Sequence, residues 1–180
     1  DIVFGDWSSD VCSSDLPYNV ATPLVSNLLA LDRAPDAMTV TIQKEVADRI
    51  LAGPGSKDYG ALSLWVQAQC AVELVRVLPP AVFWPRPKVS SAIVRIVLQP
   101  ERRAALGDLA FYHSFVRSIF LQRRKFLRSE LLSAFKNRLD KPAVDAILRQ
   151  QELGVDARAE QLAPDRMLAL ARAVHAQLGD

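Results

Sequence analysis

Cysteine is scarce in this 180-residue chain, which holds only Cys12 and Cys70. Their separation matches neither a metal-ligand pair nor a disulfide framework, and free thiols suit a reducing compartment. The cytoplasm is the expected location. Histidine is equally scarce: neither His113 nor His175 stands with Cys, Asp or Glu in a grouping that would make a metal site or a catalytic triad. No metal is expected. Long apolar runs are missing too, because Glu73, Arg76 and Arg86 break the best candidate short of the roughly 18 residues that span a bilayer. No membrane partner is expected. Residues 1–19 hold no Lys or Arg, so the basic opening of a secretory signal is absent. There is no initiator Met, and Asp1-Ile2-Val3-Phe4 reads as the inside of a strand.

What is present is a globular composition. Half the residues are hydrophobic and 23% are charged, enough to bury a core in one domain or in a domain with a small appendage. The net charge of +2 excludes a uniformly basic chain, but its distribution is uneven. Residues 1–60 hold four basic and nine acidic groups, whereas residues 101–141 hold ten basic and four acidic. Such a concentration is the usual footprint of polyanion binding, and equally that of a solvated helix face.

Short β-rich runs at 2–4, 37–42, 71–78 and 92–98 alternate with helical stretches at 23–31, 45–51 and 62–69. This alternation predicts an α/β layer sandwich. Pro79-Pro80 and Pro85-Arg86-Pro87 interrupt it with a stiff extended loop that cannot be helix interior. After Pro100 strand-like runs vanish, and helices are predicted over about 109–120, 123–135, 142–150 and 164–178. Asp140 and Pro142 form a first-turn pair, and Gly154 is a candidate helix stop. The chain thus divides into an α/β part, 1–100, and a small all-α part, 101–180.

Ser8-Ser9-Asp10 recurs as Ser13-Ser14-Asp15. Residues 7–15 therefore read as a low-complexity stretch foreign to the native sequence, with a Ser/Asp surface loop as the ordinary alternative.

Asp15-Leu16-Pro17-Tyr18 follows this stretch, and resembles the Asn/Asp-x-Pro-Tyr/Phe signature of methyltransferases acting on nucleobase amino groups. An adenine amine is a poor nucleophile because its lone pair is delocalised into the ring. Two acceptors, the side chain at the first position and the backbone carbonyl at the second, would hold both amine hydrogens and turn that lone pair outward. Pro17 would fix the turn and Tyr18 would stack on the extruded base. Four residues alone read equally as a turn with a packed aromatic.

Further phrases follow in order: 16–24, Gln43-Lys44-Glu45 through Arg49, 52–63, Phe83-Trp84-Pro85-Arg86-Pro87-Lys88 through Ala92, Gln122-Arg123-Arg124-Lys125 through Arg128, and 158–162. Together they make the chain resemble the bacterial small-subunit ribosomal RNA adenine dimethyltransferases, from Leu16 nearly to the C-terminus. The resemblance implies the later part of a Rossmann-like methyltransferase sheet followed by a small helical RNA-binding domain. It implies S-adenosylmethionine as cofactor, small-subunit ribosomal RNA and the immature small subunit as partners, and a monomer.

Residue by residue, the resemblance makes Asp15 and the Leu16 carbonyl the amine acceptors and stacks the base between Tyr18 and Phe83. Phe83 also reads as ordinary core. Asp15 is the one residue here with a share in the cofactor site. It stands where the family has Asn, and Asp6 is an alternative occupant of that place. Arg123, Arg124, Lys125, Arg128 and Lys88 would grip the RNA backbone. On a continuous helix, Arg117, Arg124 and Arg128 would share one face. Arg49 is expected to pair with Glu45 at i,i+4. The Gly-rich donor loop such enzymes carry is not visible, since Gly53-Pro54-Gly55 lies too far downstream; the cofactor half is expected upstream of Asp1. A non-catalytic ribosome-assembly module and the related large-subunit adenine methyltransferase of antibiotic resistance are the alternative readings.

Overall fold

A computed structural model describes residues 11–15, 18–122 and 124–179 of the chain. They fall into two compact units, one within residues 11–51 and 69–105, the other within 52–68 and 106–179.

Among the described residues, the first unit is built on a four-stranded sheet of β1 (Val11–Asp15), β2 (Ala37–Gln43), β3 (Cys70–Leu78) and β4 (Ser91–Leu98), in the order β1-β2-β4-β3. β1 and β2 are parallel, while β4 runs antiparallel to both its neighbours. β2 alternates strictly, with Met38, Val40 and Ile42 buried, and their register partners on β4 are Ile96, Val94 and Ala92, also buried. A slip of one residue would turn both sets outward, so the apolar pattern itself fixes this pairing. Each of the larger side chains contributes roughly 1.5–3 kcal/mol by leaving water.

Helices α1 (Tyr18–Ala30) and α2 (Lys44–Leu51) pack on the sheet, α2 through Ala47 and Ile50. Helix α4 (Pro100–Leu106), which the sequence did not announce, is anchored by Arg103. That guanidinium donates to the Leu29 carbonyl and to Gln69 Oε1, each at 2.8 Å, and to the Leu31 carbonyl. Arg102 donates to the carbonyl of Cys70, whose buried thiol is pushed up to about 12 by desolvation.

The expected strands at 37–42, 71–78 and 92–98 are present, and that at 2–4 lies outside the described residues. The end of the low-complexity stretch is not a loop. Residues 11–15 form β1, paired with β2 from Val11 opposite Ala37 to Asp15 opposite Thr41. A Ser/Asp-rich run makes a poor strand on propensity, but the open edge of β2 offers it a complete ladder of backbone partners.

The second unit holds α3 (Ala61–Gln67), α5 (Leu109–Ile119), α6 (Leu127–Ala134), α7 (Lys141–Gln150) and α8 (Pro164–Gly179). The division at residue 100 therefore differs from the observed one at both ends. The first unit extends through Ala105, because Arg102 and Arg103 bond to its backbone. Residues 52–68 belong with the helices. Tyr59 Oη donates to the Leu162 carbonyl at 2.7 Å, and the Gly55 N–H donates to the Glu160 carbonyl at 2.7 Å. Trp65 lies 4.4 Å from the His113 ring and 6.5 Å from the Tyr112 ring.

Asp140 caps α7, accepting from the Ala143 N–H at 2.9 Å, with Pro142 in the first turn as expected. Gly154 does not end that helix. The left-handed position is taken by Glu152 at φ 53°, with Glu152 N–H donating to the Arg149 carbonyl and Leu153 N–H to that of Leu148. This is a Schellman close with a glutamate where glycine is usual.

Candidate functional site

Strand polarity brings the predicted site residues of the first unit to one end of its sheet. Asp15 and Gln43 close the parallel strands β1 and β2 at their carboxyl ends. Ser91, which opens β4, pairs with Gln43 on one side and with Leu78, the last residue of β3, on the other. The β1–α1 junction at 15–18 and the loop 79–90 therefore leave the sheet at the same end. This is where open α/β sheets place ligands. β2 alone separates β1 from β4, so the junction lies about 10 Å from the end of the loop at Ser91 and about 14 Å from its start after Leu78.

The β1–α1 junction carries the Asp-Leu-Pro-Tyr motif. Asp15 ends β1 and Tyr18 begins α1, while Leu16, Pro17 and Asp6 lie outside the described residues, as do the side chains of Asp15 and Tyr18.

Loop 79–90 is held at both ends. Val82 and Phe83 N–H groups donate to the carbonyls of Pro79 and Pro80, closing a 3-10 turn over Pro80–Val82. At the far end the Lys44 N–H donates to the Ser90 carbonyl at 3.0 Å. Phe83 has extended backbone, φ −109° and ψ 148°, and its side chain is half-buried. The next residue, Trp84, is 97% exposed, and its peptide bond to Pro85 is cis. Arg86 and Lys88 are exposed. Sequence reasoning gave Trp84 no role, although its place between Phe83 and Pro85-Arg86-Pro87 was visible.

Gln43-Lys44-Glu45 marks the β2–α2 corner. Arg49 donates to Glu45 at 2.5 Å, as expected, and Lys44 donates to Asp48 at 2.7 Å. Both are exposed i,i+4 pairs and contribute little.

The second unit carries the rest of the basic segment, for which helices over about 109–120 and 123–135 were expected, and the continuous helix that would align Arg117, Arg124 and Arg128 does not form. α5 stops at Ile119, residues 120–122 and 124–125 form turns and a bend, and Phe126 is extended and bridges to Arg158. The Lys125 N–H donates to the Gln122 carbonyl at 2.8 Å within that turn. Arg117, Arg124 and Arg128 thus lie on α5, in the turn and on α6, and do not form one helix face. Pairing of Phe126 with the 158 region, together with the Leu127 N–H to Ala157 carbonyl bond, competes with helix continuation and wins.

Charge in the segment is also more committed than its count suggests. Arg102 and Arg103 hold the first unit together, and Arg138 donates to the Leu178 carbonyl. Arg128 forks onto Asp145. That bond raises the Arg128 pKa and holds the Asp145 carboxyl below its ordinary range. Arg117, Lys136 and Lys141 are exposed on or beside the helices, Arg124 and Lys125 are exposed in the turn, and Arg123 lies outside the described residues.

Neither histidine is a ligand candidate. His113 packs on Trp65, and burial, reinforced by Arg117, lowers its pKa. His175 stacks on Phe111 at 4.3 Å. No grouping of metal-ligating side chains occurs among the described residues. No described helix is long and apolar enough to cross a membrane. Gly53-Pro54-Gly55 is a turn of the second unit, with Gly55 at φ 80° and its N–H on Glu160. It does not fit a donor-binding loop, which needs free amides between a strand and a helix.

The chain matches the family described as ribosomal RNA adenine dimethylase over residues 10–173. It is 43% identical over 145 residues to the ribosomal RNA small subunit methyltransferase A of Halothermothrix orenii, covering 81% of this chain and 48% of that protein. It spans about half the length of the curated relatives it matches. A dimethyladenosine transferase from Plasmodium falciparum superposes with a TM-score of 0.83 at 23% identity, over 93% of this chain and 67% of that one. The 23S rRNA methyltransferase ErmE superposes with a TM-score of 0.60 at 25% identity, over 92% and 65% of the two chains.

Proposed function

Because this chain belongs to the ribosomal RNA adenine dimethylase family, we propose that the whole protein dimethylates two adjacent adenines of small-subunit ribosomal RNA. What supports this reading within the structure is the convergence of the 15–18 junction and the Phe83 loop at one end of the sheet.

In this proposal the first unit holds an adenine drawn out of its stack. Asp15 and the Leu16 carbonyl accept the two amine hydrogens, Pro17 fixes the carbonyl's direction, and Tyr18 and Phe83 take the two faces of the ring. Each stacked face contributes roughly 1–3 kcal/mol. The residues orient the amine; catalysis of this kind rests on position and electrostatics and needs no protein nucleophile. The methyl donor is S-adenosylmethionine, and the described residues do not fit a complete site for it.

Arg123, Arg124, Lys125 and Lys88 hold RNA phosphates without reading sequence. Arg128 is withdrawn from that set because Asp145 occupies its fork. The partners proposed are small-subunit RNA and the immature small subunit, met by a cytoplasmic monomer.

The test is incubation of the whole protein with undermethylated small and large ribosomal subunits and labelled donor. Label at two adjacent adenines of small-subunit RNA is the expected result. Label confined to large-subunit RNA would transfer the assignment to the antibiotic-resistance type. Donor-independent association with small subunits and no label would leave an assembly module.

A further inference from the structure

We propose that Trp84 is a second stacking platform, taking the base of a single-stranded RNA nucleotide that neighbours the one assigned to Phe83. The proposal rests on the RNA-binding reading above and deepens it. Phe83, in extended backbone, is followed directly by Trp84 in a bend, and the two side chains meet different surroundings. Phe83 is half-buried, and Trp84 is 97% exposed. An indole standing wholly in water contributes almost nothing to the fold, so its place here has to be read from what surrounds it.

Three observations point to single-stranded RNA as that partner. The loop is stiff, because Pro79, Pro80, Pro85 and Pro87 each fix one backbone angle and the ends are tied to Pro79, Pro80 and Lys44. A ring held this way loses little freedom when a base stacks on it. The charge is of one sign: Arg86 and Lys88 are exposed beside the indole, and residues 74–100 hold no Asp or Glu. An aromatic face interleaved with cations along a stretch that carries no acid is the chemistry that holds nucleotide bases and their phosphates together. The loop also leaves the sheet at the end where the 15–18 junction lies. A strand of RNA with one base turned toward that junction would bring its next base past the loop.

The experiment uses the full 180-residue chain and a fluorescein-labelled, adenine-rich single-stranded oligoribonucleotide at low salt. Trp84→Ala should weaken binding by roughly five- to a hundredfold, the range of one stacked base, and Trp84→Phe should recover most of it. Unlabelled oligonucleotide should quench wild-type indole emission, and the quench should disappear in Trp84→Phe, which keeps Trp7 and Trp65. Thermal midpoints should be unchanged, since the side chain is exposed. Equal affinity of Trp84→Ala and wild type, with steep salt dependence in both, would overturn the platform and leave the RNA reading intact. So would equal weakening by Ala and Phe, or a self-association that Trp84→Ala abolishes without altering RNA affinity. No RNA binding by the wild-type chain would overturn both together.

Discussion

Arg128 and Asp145 form a two-pronged bond between α6 and α7, with Nε donating to one carboxylate oxygen at 2.5 Å and Nη2 to the other at 2.8 Å. A planar fork meets a planar acceptor, which an ammonium cannot reproduce. Arg128→Lys should therefore lower the thermal midpoint nearly as much as Arg128→Ala, while neither weakens RNA affinity of the folded protein. The pH dependence has a definite sign. Asp145 is held below its ordinary value by the Arg128 bond first and by neighbouring cations second. Its contribution is then complete above the unfolded carboxyl value near ~4 and is lost as pH falls through the lower folded value. Denaturant midpoints of Asp145→Asn should lack that portion of the acid-induced loss, whereas an unchanged acid limb would contradict the assignment.

Arg124 and Lys125 should behave in the opposite way. Both are exposed in the turn between α5 and α6. Replacing the two by Ala should leave the melting curve in place and reduce the slope of log affinity against log salt by about 1.4, since each lost contact to a single strand removes about 0.7. Filter binding of small-subunit RNA fragments across a salt series reads this directly.

Two buried tyrosines of the helical unit should respond with opposite signs to loss of the hydroxyl. Tyr59 donates to the Leu162 carbonyl at 2.7 Å, tying residues 52–68 to the helices. Tyr59→Phe leaves that carbonyl without its donor and should cost about 1–3 kcal/mol. Tyr112 is as deeply buried, but its hydroxyl has no hydrogen-bond partner among the described residues. Removing an unsatisfied polar group spares its desolvation, so Tyr112→Phe should be neutral or stabilising by up to about 1 kcal/mol. Urea titrations of the two variants and the parent compare them.

Glu152 holds the left-handed position after α7 at φ 53°, where a Cβ is unfavourable. Glu152→Gly should raise stability by about 0.5–1 kcal/mol, the relief of the left-handed penalty less the added freedom of glycine in the unfolded chain. Glu152→Val, β-branched at the same angle, should lower it. Thermal midpoints of both variants test the sign.

The parts of this protein that were legible in its sequence are those fixed by local chemistry or by periodicity. The alternation of Met38, Val40 and Ile42 announced β2, and the Asp140–Pro142 pair announced the start of α7. The 3.6-residue pattern of 109–120 gave α5 to within a residue. The Asp15–Tyr18 motif and the Phe83 loop were recognisable because they carry, in order, the residue types of the resembled methyltransferases. The Glu45–Arg49 pair followed from i,i+4 spacing alone.

Long-range competition decided the rest. The sequence favours one helix through 123–135, yet backbone pairing of Phe126 with Arg158, thirty-two residues away, ends that continuity. Residues 52–68 lie between two segments of the sheet unit in sequence, yet Tyr59, Trp65 and Gly55 find their partners in the helical unit. Charge counting read ten cations in 101–141 as one basic footprint, but folding turned Arg102, Arg103, Arg128 and Arg138 to bonds inside the protein. The sequence by itself determined which residues are apolar in which period, which turns are forced by proline, and which motif resembles an adenine-holding site. Only the tertiary structure decided which charges remain available and which aromatic of the Phe83–Trp84 pair faces water. The physical reason is that hydrogen bonds and ion pairs form between whatever groups the fold brings within about 3 Å, and separation along the chain does not reveal which those are.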